Sequence, residues 1–157
     1  MNRLTRDQML MAMAHVAAAR GTCNRLSVGA VITFESRPVS IGYNGAPPGA
    51  PHCNSNCNQD NPCTNTVHAE DNAIRWARAF GIDPRGSTLY VTDSPCSNCA
   101  KLIFEAGIVR VVFDRRYRND QPLAWLVDKG VRVDECHVEH VISANYLNSQ
   151  ITPVSGE

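Results

Sequence analysis

The chain has 157 residues, 43% hydrophobic and 19% charged, which suits one compact domain and excludes disordered, collagenous and coiled-coil classes. Its 15 basic and 15 acidic residues cancel, so no net field favours long nucleic acid or a membrane surface, while a local cationic cluster around a small phosphate stays open. No apolar run approaches the roughly 18 residues of a membrane span and the first twenty lack a cleavage pattern, so a cytoplasmic protein is expected. In that compartment seven cysteines, an odd number, point to metal ligation rather than a disulfide framework.

Thr5 and Gln8 have the spacing of a capping box, and Met9, Leu10, Met13 and Val16 recur at helical spacing, predicting an amphipathic helix over 5–19 that Gly21 ends. Val28 to Phe34 and Val39 to Tyr43 read as antiparallel strands joined by a short polar turn containing Pro38. Asn44 to Thr66 has hardly any aliphatic residue and is too long for an idle connection. The remainder alternates: helix His68 to Phe80, strand Thr88 to Thr92, helix Ser97 to Ala106, strand Val109 to Phe113, a helix near Pro122 to Lys129, and a short strand over Val131 to Val133. A hairpin followed by this alternation predicts an α/β fold, one domain over 1–157, with a mixed five-stranded sheet and helices on both faces.

The chemistry concentrates in His68-Ala69-Glu70 and, one strand later, Pro95-Cys96-Ser97-Asn98-Cys99. His68, Cys96 and Cys99 are three zinc ligands that leave the fourth tetrahedral position to water, as a hydrolytic zinc requires. Glu70, two residues from His68 at a helix start, can stand beside that water as a proton shuttle. Cys96 and Cys99 fall at another helix start, where free N–H groups favour thiolates. The pairing of H-x-E with P-C-x-x-C is the signature of zinc nucleobase deaminases.

Over about Asp7 to Val133 the chain closely resembles the deoxycytidylate (dCMP) deaminase family. The resemblance is carried by Cys23-Asn24-Arg25, Val28-Gly29-Ala30-Val31-Ile32, Gly42-Tyr43-Asn44-Gly45-Ala46-Pro47, His68 through Ile74, and Tyr90 through Cys99. It implies a three-layer cytidine-deaminase-like fold and zinc-dependent conversion of dCMP to dUMP and ammonia, supplying thymidylate synthesis. It further implies that Asn44 bonds the deoxyribose, where a turn residue is the alternative, and that the Ala69 backbone holds the base. Gly42 and Gly45 would let backbone approach a ligand closely. Arg25 stands at a phosphate-binding position, and Arg115, Arg116, Tyr117 and Arg118 form a second candidate cluster, with Tyr117 preferred.

Cys23, Cys53, Cys57 and Cys63 remain, and four thiolates could close a structural zinc that orders the long loop, with His52 as a substitute for Cys57 or Cys63. Some phage-type members of the family are similar in holding a second zinc with cysteines at the positions of Cys23 and Cys53 and histidines completing it. This sequence departs there, having no histidines at those later positions, so Cys57 and Cys63 take their place. Cys136 reads as a small buried hydrophobe. The resemblance also implies homohexamers activated by dCTP with Mg2+ and inhibited by dTTP, with effector contacts near Gly42, Tyr43 and Gly45. Arg75 and Arg78 on the helix after Glu70 suit an interface or, equally, a solvated helix face. The alternatives are deamination of a 5-substituted dCMP, of another cytosine nucleotide, nucleoside or free base, or of tRNA adenosine, to which a neutral chain is poorly suited. A further alternative is a catalytically silent zinc-binding regulatory subunit, in which Glu70 would have no task.

Overall fold

The computed structural model describes residues 3–53, 65–117 and 119–141. Among the described residues, four helices and five strands run in the order α1 (Arg6–Ala18), β1 (Gly29–Phe34), β2 (Arg37–Tyr43), α2 (Ala69–Ala79), β3 (Thr88–Asp93), α3 (Ser97–Glu105), β4 (Arg110–Arg115), α4 (Gln121–Asp128) and β5 (Arg132–Glu135). The sheet order is β2-β1-β3-β4-β5. β1 is antiparallel to β2 and β3, and β3, β4 and β5 are parallel. This is the mixed five-stranded sheet that the alternation predicts.

Two apolar cores flank the sheet. On one face Leu10, Met11 and Ala14 of α1 pack on Val31, Tyr90 and Val112, with Val138 and Val141 closing the layer. On the other, Ala73 and Ile74 of α2, Ile103 of α3 and Leu126 of α4 cover Leu89, Val91 and Phe113. The parity along β3 explains the split, because residues two apart share a face. Cys136 is half-buried beside the α1 core, where it serves as a small hydrophobe.

Helix α1 begins at the expected cap: Thr5 Oγ1 accepts the Gln8 N–H at 3.1 Å and Gln8 Oε1 accepts the Thr5 N–H at 2.9 Å. Its buried stripe is not the predicted one. Leu10, Met11, Ala14, Ala17 and Ala18 are buried, whereas Met9 and Val16 face outwards. The small Ala14 lets the helix approach β1 closely enough that a Cβ at Gly29 would overlap the Ala14 carbonyl, so the face that carries Ala14 with Leu10, Met11, Ala17 and Ala18 is the one that packs.

The hairpin also differs from expectation. Pro38 lies inside β2, and the turn is Glu35-Ser36, both with positive φ (47° and 62°). Such values at both central residues make a two-residue turn of the primed kind, whose twist matches the flanking strands. Proline is tolerated because β2 is the edge of the sheet. Ser40 Oγ donates to the Ala73 carbonyl at 2.7 Å and Asn72 Nδ2 to the Tyr43 carbonyl at 2.8 Å, fixing α2 on β2. Those two bonds set where α2 begins, and with it His68 and Glu70.

Candidate active site

His68 is the N-cap of α2, with extended backbone (φ −71°, ψ 155°) and no capping bond from its side chain, so the imidazole turns towards α3. Cys96 is the N-cap of α3, and its sulfur lies 3.5 Å from the Cys99 N–H. His68 Nδ1 is 3.3 Å from Cys99 Sγ and 3.7 Å from Cys96 Sγ. A tetrahedral zinc with ordinary bond lengths holds a sulfur and a nitrogen ligand about 3.6 Å apart, so these separations bracket the required value. Among the described residues, this is the one cluster of metal-ligating side chains whose ligand atoms lie within 4.8 Å of one another.

The donor set fits a divalent cation electrostatically as well. The Cys99 thiol, donating to Cys96, pulls the Cys96 pKa down to about 3, and the imidazole and the Cys99 N–H add to the effect. The same hydrogen bond, with burial, pushes Cys99 up. A metal cation held by His68, Cys96 and Cys99 would take the place of that shared proton and be bound by two thiolates. The Cys96 thiolate, followed by the Glu70 carboxylate, also raises His68.

Glu70 lies in the first turn of α2, 4% exposed, in the same cleft. Loss of hydration on burial raises its carboxyl to about 7, against the smaller opposing effects of its own backbone N–H and His68. A carboxyl balanced there exchanges a proton readily at neutral pH.

The cleft has a volume of about 450 Å³ and runs from His68, Glu70 and Cys96 to Arg25 and Tyr117. Arg25 Nη2 donates to the Tyr117 hydroxyl at 2.5 Å. The two residues singled out separately for a phosphate thus meet across 92 positions of chain. Ser94 Oγ accepts the Tyr117 N–H at 2.7 Å, anchoring that end of the cleft. Ser94 and Asp93 are cleft residues that sequence reasoning missed. The available signal was their place at the carboxyl end of a parallel strand, just ahead of Pro95-Cys96.

Asn44 lines the cleft and has no positive φ, so it is not a left-handed turn residue. Its amide holds the 21–28 loop: Oδ1 accepts the Val28 N–H at 2.8 Å and Nδ2 donates to the Leu26 carbonyl at 2.5 Å. Ala69 also borders the cleft. The close approaches at the glycines are to protein, not to the cleft. A Cβ at Gly42 would overlap the Ala69 carbonyl of α2, and one at Gly45 would stand 2.8 Å from Thr22 Oγ1.

The second arginine cluster is largely committed to carboxylates. Arg115 pairs with Asp93 at 3.0 Å, and Arg116 with Asp120 at 2.7 Å and Glu135 at 3.2 Å. Both face neighbouring acids, Arg115 as the last residue of β4 and Arg116 just beyond it. Arg118 lies outside the described residues, as do Cys57 and Cys63. Cys23 lines the cleft, and Asn24 Nδ2 donates to the Cys53 carbonyl at 3.3 Å, which brings the Cys23 and Cys53 segments together. Arg75 is paired with Asp71 on an exposed face of α2.

Residues 4–115 match the cytidine and deoxycytidylate deaminase zinc-binding region. ComE operon protein 2 of Bacillus subtilis (strain 168) is 39% identical over 145 residues, covering 90% of this chain and 77% of that protein. The deoxycytidylate deaminase of Mycobacterium phage D29 is 38% identical over 129 residues, 73% of this chain and 98% of the phage protein. Among solved structures, dCMP deaminase from the cyanophage S-TIM5 in complex with dCMP and dUMP aligns with a TM-score of 0.75 at 30% identity, over 82% of this chain and 95% of that one. With its His68, Cys96 and Cys99 cluster inside the matched region, the chain belongs to the cytidine and deoxycytidylate deaminase zinc-binding family.

Proposed function

We propose that the protein hydrolyses dCMP to dUMP and ammonia, a reaction that supplies dUMP for thymidylate synthesis. The observation that carries this reading is one cleft holding both a zinc-type cluster with a buried carboxyl and, at its other end, the Arg25–Tyr117 pair. A cytosine nucleotide needs both ends, and the similarity to phage dCMP deaminases agrees with that choice.

His68, Cys96 and Cys99 would hold Zn2+, which when bound lowers the pKa of water towards about 7 and so makes a nucleophile available at neutral pH. Glu70 takes a proton from the attacking water, passes one to N3 of the base, and carries one to the amine leaving C4. The balance is one water consumed and one ammonia released. The Ala69 backbone holds the base, Asn44 borders the sugar, and Arg25 with Tyr117 receives the phosphate. The guanidinium presents a planar fork suited to phosphate oxygens.

The same reading includes a second, structural zinc on Cys23 and Cys53 with Cys57 and Cys63, or His52 in place of one of these. Support comes from the Asn24 to Cys53 bond joining the two segments. Two zinc ions per chain in fully loaded protein are expected, and a ratio of one overturns this part. Residues 1–157 are read as one domain in a cytoplasmic homohexamer regulated by dCTP with Mg2+ and by dTTP near Gly42, Tyr43 and Gly45. Support for self-association is the exposed Trp76–Phe80 stack (centroids 5.6 Å apart) beside exposed Ile41 on edge strand β2. An apolar face of this kind is suited to cover by a second copy.

The test is ammonia release from dCMP with deoxycytidine alongside. Selective turnover of dCMP supports both ends of the site. Equal turnover of the nucleoside removes the phosphate assignment.

A further inference from the structure

Asp93 ends β3 on the sheet face that Leu89 and Val91 share, and is 6% exposed at the wall of the active-site cleft. Its Oδ2 accepts two hydrogen bonds, from Thr92 Oγ1 at 2.9 Å and from Arg115 Nη2 at 3.0 Å. The Thr92 hydroxyl itself accepts the Gly29 N–H at 3.2 Å, which aims its single hydrogen at Asp93. Oδ2 is therefore fully used and the carboxylate is held in one orientation. No donor among the described residues bonds Oδ1. Every buried side-chain oxygen and nitrogen among the described residues has a partner, so Oδ1, which has no donor, is open at the cleft wall and free to accept a hydrogen bond from a ligand.

Position and chemistry select that ligand group. Asp93 is three residues before Cys96 at the metal end, and the adjacent Ser94 anchors Tyr117 at the cation end. A nucleotide spanning these ends puts its sugar along this wall. Arg115 offsets the Asp93 charge, so the carboxylate does not repel a nearby phosphate as an unpaired one would. In dCMP the 5′ oxygen is esterified and the 2′ carbon bears none, so the 3′-hydroxyl is the one sugar donor.

We propose that Asp93 Oδ1 accepts a hydrogen bond from the 3′-hydroxyl of dCMP and is a specificity-determining residue of this enzyme. The inference rests on the dCMP reading above. It gives the Asp93–Arg115 pair a task, and it predicts selection against nucleotides that lack a 3′-hydroxyl or carry an anion there.

The test compares kcat/KM for dCMP and 2′,3′-dideoxy-CMP in the zinc-loaded wild type and in Asp93→Ala and Asp93→Asn. A charge-assisted hydrogen bond should give the wild type about a 10- to 100-fold preference for dCMP. In Asp93→Ala the preference should collapse to within about threefold, through loss on dCMP alone, with Asp93→Asn in between. A ratio unchanged in Asp93→Ala overturns the proposal, as does an equal loss on both substrates. Should Asp93→Ala not fold, the wild-type ratio still decides: dideoxy-CMP turned over as well as dCMP overturns it. A wild type that turns over neither nucleotide refutes the dCMP reading itself, a result distinct from the other three.

Discussion

Asn44 holds the cleft together from one side, and its replacement gives a measurable stability loss. In Asn44→Ala the Val28 N–H and the Leu26 carbonyl both lose their side-chain partner. A buried backbone group left unsatisfied costs about 1–3 kcal/mol. The 21–28 loop borders the cleft, so water recovers part of this, and a total of about 2–4 kcal/mol is expected. For a chain of this size that is a drop in Tm of roughly 4–16 °C. Asn44→Asp is a sharper variant, because it keeps the shape and the acceptor for Val28 but sets a carboxylate oxygen against the Leu26 carbonyl. It should be no more stable than Asn44→Ala. The same loop carries Arg25, so KM for dCMP should rise in both variants. The assay is thermal and urea unfolding of zinc-loaded protein, with kinetics on the same samples. An Asn44→Ala protein melting within about 2 °C of wild type would refute the claim that this amide holds the loop.

Arg25→Ala should raise KM for dCMP by about 10- to 100-fold with little change for deoxycytidine, and Tyr117→Phe should do so more weakly, which steady-state kinetics on both substrates will show. Replacing Glu35-Ser36 by Asn-Gly should stabilise the protein by about 0.5–1 kcal/mol in urea unfolding, since both positions have positive φ. Asp7 accepts from Arg110 at 2.8 and 3.1 Å and from Tyr90 at 2.7 Å, and the Arg110 guanidinium holds its carboxyl below the ordinary 3.8. A depressed folded pKa contributes stability that is present above 3.8 and lost as pH falls through the folded value. The stability gap between wild type and Asp7→Asn should therefore be full at neutral pH and narrow below 3.8; a gap independent of pH would contradict the ion pair's role.

The site was most legible where its residues are close in sequence. His68 with Glu70, and Cys96 with Cys99, are fixed by the first turns of two helices, so local spacing carries their geometry. The capping box of α1 was readable for the same reason. What escaped depends on partners far along the chain. The buried stripe of α1 is set by close packing on Gly29, which no periodicity within the helix records. The tasks of Arg115 and Asp93 became visible only once β3 and β4 were paired in register. The Glu35-Ser36 turn carries none of the Asn or Gly residues that announce positive φ, and Pro38 drew attention to the wrong position. Arg25 and Tyr117 could each be named from sequence, but their contact is tertiary.

The most direct test of the central claim measures zinc content and ammonia release from dCMP on the same preparations of wild type and Glu70→Gln. Glu70 is buried beside the His68, Cys96 and Cys99 cluster without being one of its ligands, so the variant should keep the wild-type zinc content. Its turnover should fall by at least about 100-fold, the scale of a lost proton shuttle. Turnover near wild type in the zinc-replete variant, or undiminished turnover by wild type stripped of zinc, would contradict zinc-dependent deamination at this site.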